Sequence, residues 1–141
     1  MTLLAVSPWA ASAAPPEIMP LNELPQDAYN TAPWLSPDGL TLYWQSTAKG
    51  EKQRWVWRAE RKSADALFEN ARKLFPGSDP TVSGDQLEMI VLDGRNLHST
   101  IRKTKKDDFG RMRKISELDG LGLLASPCLS EDFDLSALTR K

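Results

Sequence analysis

One cysteine, Cys128, and one histidine, His98, are all that this 141-residue chain has of those two residue types. A single cysteine excludes an internal disulfide framework, and beside a single histidine it cannot assemble the Cys/His ligand set of a structural zinc site. Cysteine usage therefore leaves the redox compartment open. An excess of charge of one sign is also missing: 18 Lys and Arg face 19 Asp and Glu, for a formal net charge of -1. That balance argues against a general nucleic-acid binder. No apolar run approaches the roughly 18 residues that a membrane-spanning helix needs. The remaining composition, 40% hydrophobic and 26% charged, is that of one ordinary globular domain, so fold and function have to be sought in residue order.

The first sixteen residues carry no charge, and a short apolar run, Leu3-Leu4-Ala5-Val6, leads into Ala11-Ser12-Ala13-Ala14. These small side chains suit a signal peptidase, and the segment resembles the tail of a secretory signal peptide. The positively charged beginning of such a signal is absent, and Pro8 with Trp9 interrupts the apolar core. A start placed too far downstream and a plain Ala/Pro-rich leader both account for this. The export reading predicts cleavage after Ala13 and a periplasmic or extracellular location. It also predicts a linker over residues 14–29, because Pro15, Pro16, Pro20 and Pro25 fit neither a helix interior nor a central strand.

Internal similarity is the strongest signal. The segment Pro33-Trp34-Leu35-Ser36-Pro37-Asp38-Gly39-Leu40-Thr41-Leu42-Tyr43-Trp44 recurs as Pro80-Thr81-Val82-Ser83-Gly84-Asp85-Gln86-Leu87-Glu88-Met89-Ile90-Val91. It starts a third time at Pro127-Cys128-Leu129-Ser130-Glu131-Asp132, and both Ser36 to Ser83 and Ser83 to Ser130 are 47 residues. A later stretch repeats at an offset of 41, with Leu67-Phe68-Glu69 and Ala71-Arg72-Lys73-Leu74 echoed by Asp108-Phe109-Gly110 and Met112-Arg113-Lys114-Ile115. A longer hairpin in the first copy explains the shorter offset.

Each copy reads as strands joined by tight turns. Leu40, Leu42 and Trp44 alternate with Thr41 and Tyr43, as Leu87, Met89 and Val91 alternate with Glu88 and Ile90, which is the two-residue period of a strand. The tetrapeptides Ser36-Pro37-Asp38-Gly39 and Ser83-Gly84-Asp85-Gln86 are turns. After the strand the chain reverses, through a polar loop over residues 47–53 in the first copy and Asp93-Gly94 in the second. Further strands are predicted over 55–59 and 97–103. Residues 64–74 have helix propensity, but their echo contains Gly110 and no Ala, so a loop ending in a short strand is the shared reading. Gly39 is expected to take a backbone angle that Val would resist, making Gly39→Val costlier than replacement of Gln86.

A period of about 40 to 50 residues with several strands per unit is that of a propeller blade. The stretch Ser36 to Trp44 resembles the WD40-like β-propeller repeat of TolB-type proteins, a family in which the Ser-Pro-Asp-Gly turn joins strands of a blade. The resemblance runs over about residues 30–132, with departures at Gly84 and Gln86. It ends at Asp132, because Asp134 and Ser136 stand where Leu40 and Leu42 do. It implies an all-β fold, a partial β-propeller of two four-stranded blades over about 30–78 and 79–125 with an incomplete third over 126–141. The repeat-motif turn residues are then Ser36, Pro37, Asp38, Gly39, Ser83, Asp85, Ser130 and Asp132. A ring typically takes about four to eight blades, so a fragment, assembly with other chains and self-association stay open.

The residues with chemical potential each have a simpler structural reading. Asp38, Asp85 and Asp132 recur at matched positions as calcium ligands would, but calcium takes about six or more oxygens and no second cluster accompanies them, whereas turn capping accounts for Asp at these places. The Asp box of sialidase-type propellers fits less well, since its Gly comes two residues after the Asp and Gly39 follows Asp38 directly. His98 and Ser99, adjacent on a predicted strand, point to opposite faces and support no local triad. Cys128 occupies the position of Trp34 and Thr81 and reads as a small buried or half-buried filler. Arg102-Lys103-Thr104-Lys105-Lys106, followed by Asp107-Asp108, reads as a solvated loop. Trp34, Trp44, Trp55 and Trp57 are dense enough for a sugar platform, though such residues more often fill the space between sheets.

No catalytic residue, metal ligand or cofactor site stands out. The expected function is that of a non-enzymatic, exported repeat protein offering a scaffold for protein contact or self-association, with no nucleic acid, no membrane span and no support for carbohydrate. The alternative is a piece of a propeller-containing hydrolase or glycan-binding protein whose active site lies outside this chain.

Overall fold

The two-residue alternation of apolar side chains is realised as sheet throughout. The computed structural model describes residues 24–25, 27–119 and 126–129. Strands β1 (Ala28–Leu35), β2 (Thr41–Ala48), β3 (Trp55–Glu60) and β4 (Glu69–Pro76) form one antiparallel sheet in chain order. Strands β5 (Ser78–Val82), β6 (Glu88–Asp93), β7 (Asn96–Ile101) and β8 (Arg113–Lys114) form a second of the same topology. The chain is thus all-β: the described residues hold no α-helix, only a single 3-10 turn at Ser116–Leu118. None of their helices is long and apolar enough to cross a membrane.

Several boundaries differ from the sequence reading. Strand β1 begins at Ala28, inside the stretch read as linker, and contains Pro33. A bulge between Thr31 and Trp34, with Ala32 at φ 50, takes the proline out of the ladder, and β1 lies at the sheet edge, where a missing N–H is tolerated. Residues 64–74 are a loop followed by a strand, as read, but β4 is eight residues long. The strand expected over 97–103 stops at Ile101. The segment read as a signal peptide, and Ser130 and Asp132, lie outside the described residues.

Neighbouring side chains on a strand face opposite ways, and this organises three apolar clusters. Tyr43 and Val56 of the first sheet pack against Val82, Met89 and Val91 of the second. Leu42, Trp44, Ala59 and Phe68 occupy the first sheet's other face, joined by Leu24, Trp57 and Ala71. Ile90, Leu92, Leu97 and Ile115 occupy the second sheet's other face, joined by Leu118 and Leu129. Burying a side chain such as Val56 or Met89, both 0% exposed, contributes about 1.5–3 kcal/mol each.

The 47-residue repeat gives these clusters an order. Met89 and Val91, which meet the first sheet, correspond to Leu42 and Trp44, which face away from the second. Tyr43, which meets the second sheet, corresponds to Ile90, which faces away from the first. The stacking is therefore head-to-tail. Leu129 continues the series, standing 47 residues after Val82 and packing on the second sheet as Val82 packs on the first. Its amide donates to Thr81 Oγ1 at 3.3 Å. Ala32, Asp79 and Ser126, at the same spacing and each before a proline, share φ values of 50, 49 and 47.

Candidate functional site

The repeated turns are built alike. In the first copy the Ser36 hydroxyl donates to Asp38 Oδ1 at 2.5 Å and accepts the Thr41 amide at 2.9 Å, and Asp38 Oδ1 also accepts the Leu40 amide at 3.0 Å. In the second the Ser83 hydroxyl donates to Asp85 Oδ1 at 2.6 Å and accepts the Glu88 amide at 3.0 Å, while Asp85 Oδ1 accepts the Leu87 amide at 2.9 Å. The serine hydroxyl, and then the leucine amide, hold both carboxyls below their ordinary value of 3.8. Gly39 and Gln86 donate their amides to the serine carbonyls at 2.7 and 2.8 Å. Gly39 stands at φ 71 and Gln86 at φ 63, so the second copy adopts the left-handed conformation without glycine. The change from Gly to Gln is thus not a change of turn.

These bonds make the two serines matched structural elements. Ser36→Ala and Ser83→Ala each strand a strand-entry amide beneath the turn, and each is expected to cost about 1–3 kcal/mol in urea denaturation. The two losses should be similar, since each serine accepts a strand-entry amide and donates to the turn aspartate, with Ser83 Oγ also 3.2 Å from the Glu88 carbonyl. Pro37 is exposed on the first turn. Among the described residues no group of three or more His, Cys, Asp or Glu side chains comes together to hold a metal.

A second repeated element was hidden in the basic run. Arg61 and Arg102, 41 residues apart, donate Nε–H to the carbonyls of Gly39 and Gln86 at 2.6 and 2.7 Å. Their guanidiniums lie over Phe68 and Phe109 at 4.7 and 4.5 Å. Arg102 is only 6% exposed, which corrects the reading of residues 102–106 as one solvated loop. Lys103, Lys105 and Lys106 are exposed, but Arg102 is a tether between turn and ring. The offset that aligns Phe68 with Phe109 already aligned the two arginines.

Between the sheets, at the end where Arg102 sits, a cleft of about 250 Å³ opens. Strand β3 supplies Arg58, opposite Tyr43 on β2 and 8% exposed. Strand β4 supplies Arg72 and Lys73, and the loop after β7 supplies Arg102, Asp107 and Asp108. Arg58 pairs with the half-exposed Glu60 carboxylate, and Arg72 pairs with Asp108 at 2.5 Å. Asp107 Oδ2 accepts from the Thr104 amide and hydroxyl at 2.9 and 3.0 Å. Arg58 Nε, Arg102 Nη2 and Tyr43 Oη are buried with no hydrogen-bond partner. Burial pushes the Tyr43 phenol up against the pull of the Arg58 and Arg102 charges, and burial pulls the Arg102 guanidinium down, opposed by its interaction with the Tyr43 phenol and reinforced by the Arg58 charge. Four cationic and two anionic side chains line the cleft, so it favours a negatively charged guest.

The other candidates are not brought together. His98 pairs with Val91 and Lys114, and Ser99 with Ile90 and Arg113. His98 Nδ1 is buried without a hydrogen bond. Cys128 is exposed, which corrects its reading as a buried filler: the residues at its two earlier repeat positions sit within strands β1 and β5, and it does not lie in a described strand. Trp44 stacks on Trp57 with centroids 5.9 Å apart, and Lys73 Nζ lies 4.4 Å from the Trp55 ring centre. Lys73 thus lies over the rings of both Trp55 and Trp57.

No family model matches the chain, and no solved structure matches it significantly. Over 119 residues it is 29% identical to an uncharacterized protein of Agrobacterium fabrum, the match covering 79% of this chain and 40% of that protein. The chain thus spans well under half the length of the relative it matches.

Proposed function

We propose that the two sheets are successive blades of a β-propeller of the WD40-like, TolB-type class, and that the chain acts as a non-enzymatic scaffold for protein contact, exported to the periplasm or beyond. The observation that carries this is the head-to-tail stacking. A face that meets the next sheet corresponds, 47 residues on, to a face that meets Leu129 of a third copy. Heterologous contacts of this kind close into rings or run on as open arrays, and four-stranded units about 40 to 50 residues apart suit a ring. A scaffold role is supported by how the repeated polar residues are used: Ser36, Asp38, Ser83 and Asp85 spend their hydrogen bonds on their own turns.

The test is the intact mass of the native protein from its source cells, followed by light scattering on the purified species. A ring expects either a polypeptide clearly heavier than 15.7 kDa or a chain of that mass, or lower by the N-terminal leader, that self-associates or copurifies with a partner. A stable, monodisperse monomer of 15.7 kDa, or of that mass less the leader, would overturn the propeller reading. Cell fractionation tests export separately.

A further inference from the structure

We propose that the cleft between the sheets binds a small oxyanion, the phosphate or carboxylate group of a ligand, gripped by the Arg58 and Arg102 guanidiniums. Both side chains are more than nine-tenths buried, and each keeps an N–H without a hydrogen-bond partner, Nε on Arg58 and Nη2 on Arg102. Buried cations are costly unless paired. Arg102 has no carboxylate partner: its guanidinium donates to the carbonyls of Gln86 and Asp107 at 2.7 and 3.4 Å and stands against the Tyr43 phenol. The nearby acids are engaged elsewhere: Asp108 with Arg72, Asp107 with Thr104, and Glu60 on the Nη2 side of Arg58. A planar guanidinium fork matches the oxygens of phosphate and carboxylate, and one oxyanion in the cleft that both arginines line would offset their mutual repulsion.

The repeat separates this arrangement from the needs of the fold. Tyr43 faces Arg58 across β2 and β3, and at the same place in the second sheet Ile90 faces Ser99. The second sheet forms without a buried Tyr–Arg pair, so the architecture does not require one. The buried Tyr43 phenol stands against the Arg102 guanidinium, and its ring lies 5.9 Å from the Arg58 guanidinium. The cleft, about 250 Å³, exceeds the share of several waters at about 30 Å³ each and accommodates an oxyanion with part of the group that bears it.

The experiment titrates the full chain with inorganic phosphate and, separately, acetate at constant ionic strength, reading the arginine side-chain ¹⁵Nε–Hε resonances and the Tm. Saturable shifts of Arg58 and Arg102, with Arg95 and Arg111 unmoved, are expected, along with a rise in Tm that chloride does not reproduce. Arg58→Gln should weaken binding at least tenfold, whereas Lys114→Gln, at a lysine outside the cleft, should leave it unchanged. A response to phosphate alone assigns the phosphate source, and a response to acetate alone assigns the carboxylate source. No response to either probe overturns the proposal, as do equal shifts at all four arginines or equal losses in the two variants. If Arg58→Gln does not fold, the resonance shifts of the unaltered chain decide the matter.

Discussion

Trp44→Ala should remove about 3–5 kcal/mol of stability, the range for truncating a buried Trp or Phe. Trp44 is 2% exposed and packs with Leu42, Ala59 and Phe68. It also stacks on Trp57 at an interplanar angle of 26° and donates from Nε1 to Asn30 Oδ1 at 3.2 Å. Truncation therefore opens a cavity, strips Trp57 of its stacking partner and leaves an Asn acceptor on the edge strand unmatched. For domains whose total stability is about 5–15 kcal/mol, a loss of this size brings the first sheet close to unfolding at 37 °C. Thermal denaturation followed by near-UV circular dichroism checks it. Trp57→Ala, at a half-buried ring on the same face, should cost less. A loss below about 1 kcal/mol at Trp44 would mean that this face is not part of the core.

What the sequence made legible was the part of the fold that repeats. The alternation around Leu42 and Trp44, and again around Met89 and Val91, marks two strands because a period of two carries its own face assignment. The serine and aspartate of each turn are recognisable because short polar side chains close such turns locally. Strand β1 was not legible, since Pro33 inside it argues against a strand unless a bulge removes the proline from the ladder. Gln86 was misleading in another way: it looked like decay of the motif, yet it holds the same left-handed angle as Gly39, so the turn's bonds outweigh the preference of the residue. The cleft was least legible. Arg58 lies on a strand with no counterpart arginine in the second copy, and it meets Arg102 only when β3 is brought against the loop after β7. A repeat search reveals what two copies share, and this site is made from what they do not share.

Arg102→Ala is expected to cost about 2–4 kcal/mol, clearly more than the matched change Arg61→Ala at about 1 kcal/mol. Both arginines donate Nε–H to a turn carbonyl and cover a phenylalanine ring. A hydrogen bond to a charged group contributes about 1.5–3 kcal/mol and a cation–ring contact about 0.5–2. The environments differ: Arg61 is half-buried, so water can reach the Gly39 carbonyl after truncation, whereas Arg102 is 6% exposed and the Gln86 carbonyl is left buried and unpaired. Against this, removing Arg102 relieves its repulsion with Arg58, which lowers the net loss without reversing it. Arg102→Met separates the two effects, because it keeps most of the volume over Phe109 while discarding both the charge and the donor. Urea denaturation in a buffer free of phosphate and carboxylate should place the Met variant between Ala and the unaltered protein. Equal losses for Arg61→Ala and Arg102→Ala would mean that burial does not set the cost. A Met variant as stable as the parent would mean that folding alone does not call for a cation at Arg102, and the charge would then be there for what the cleft holds.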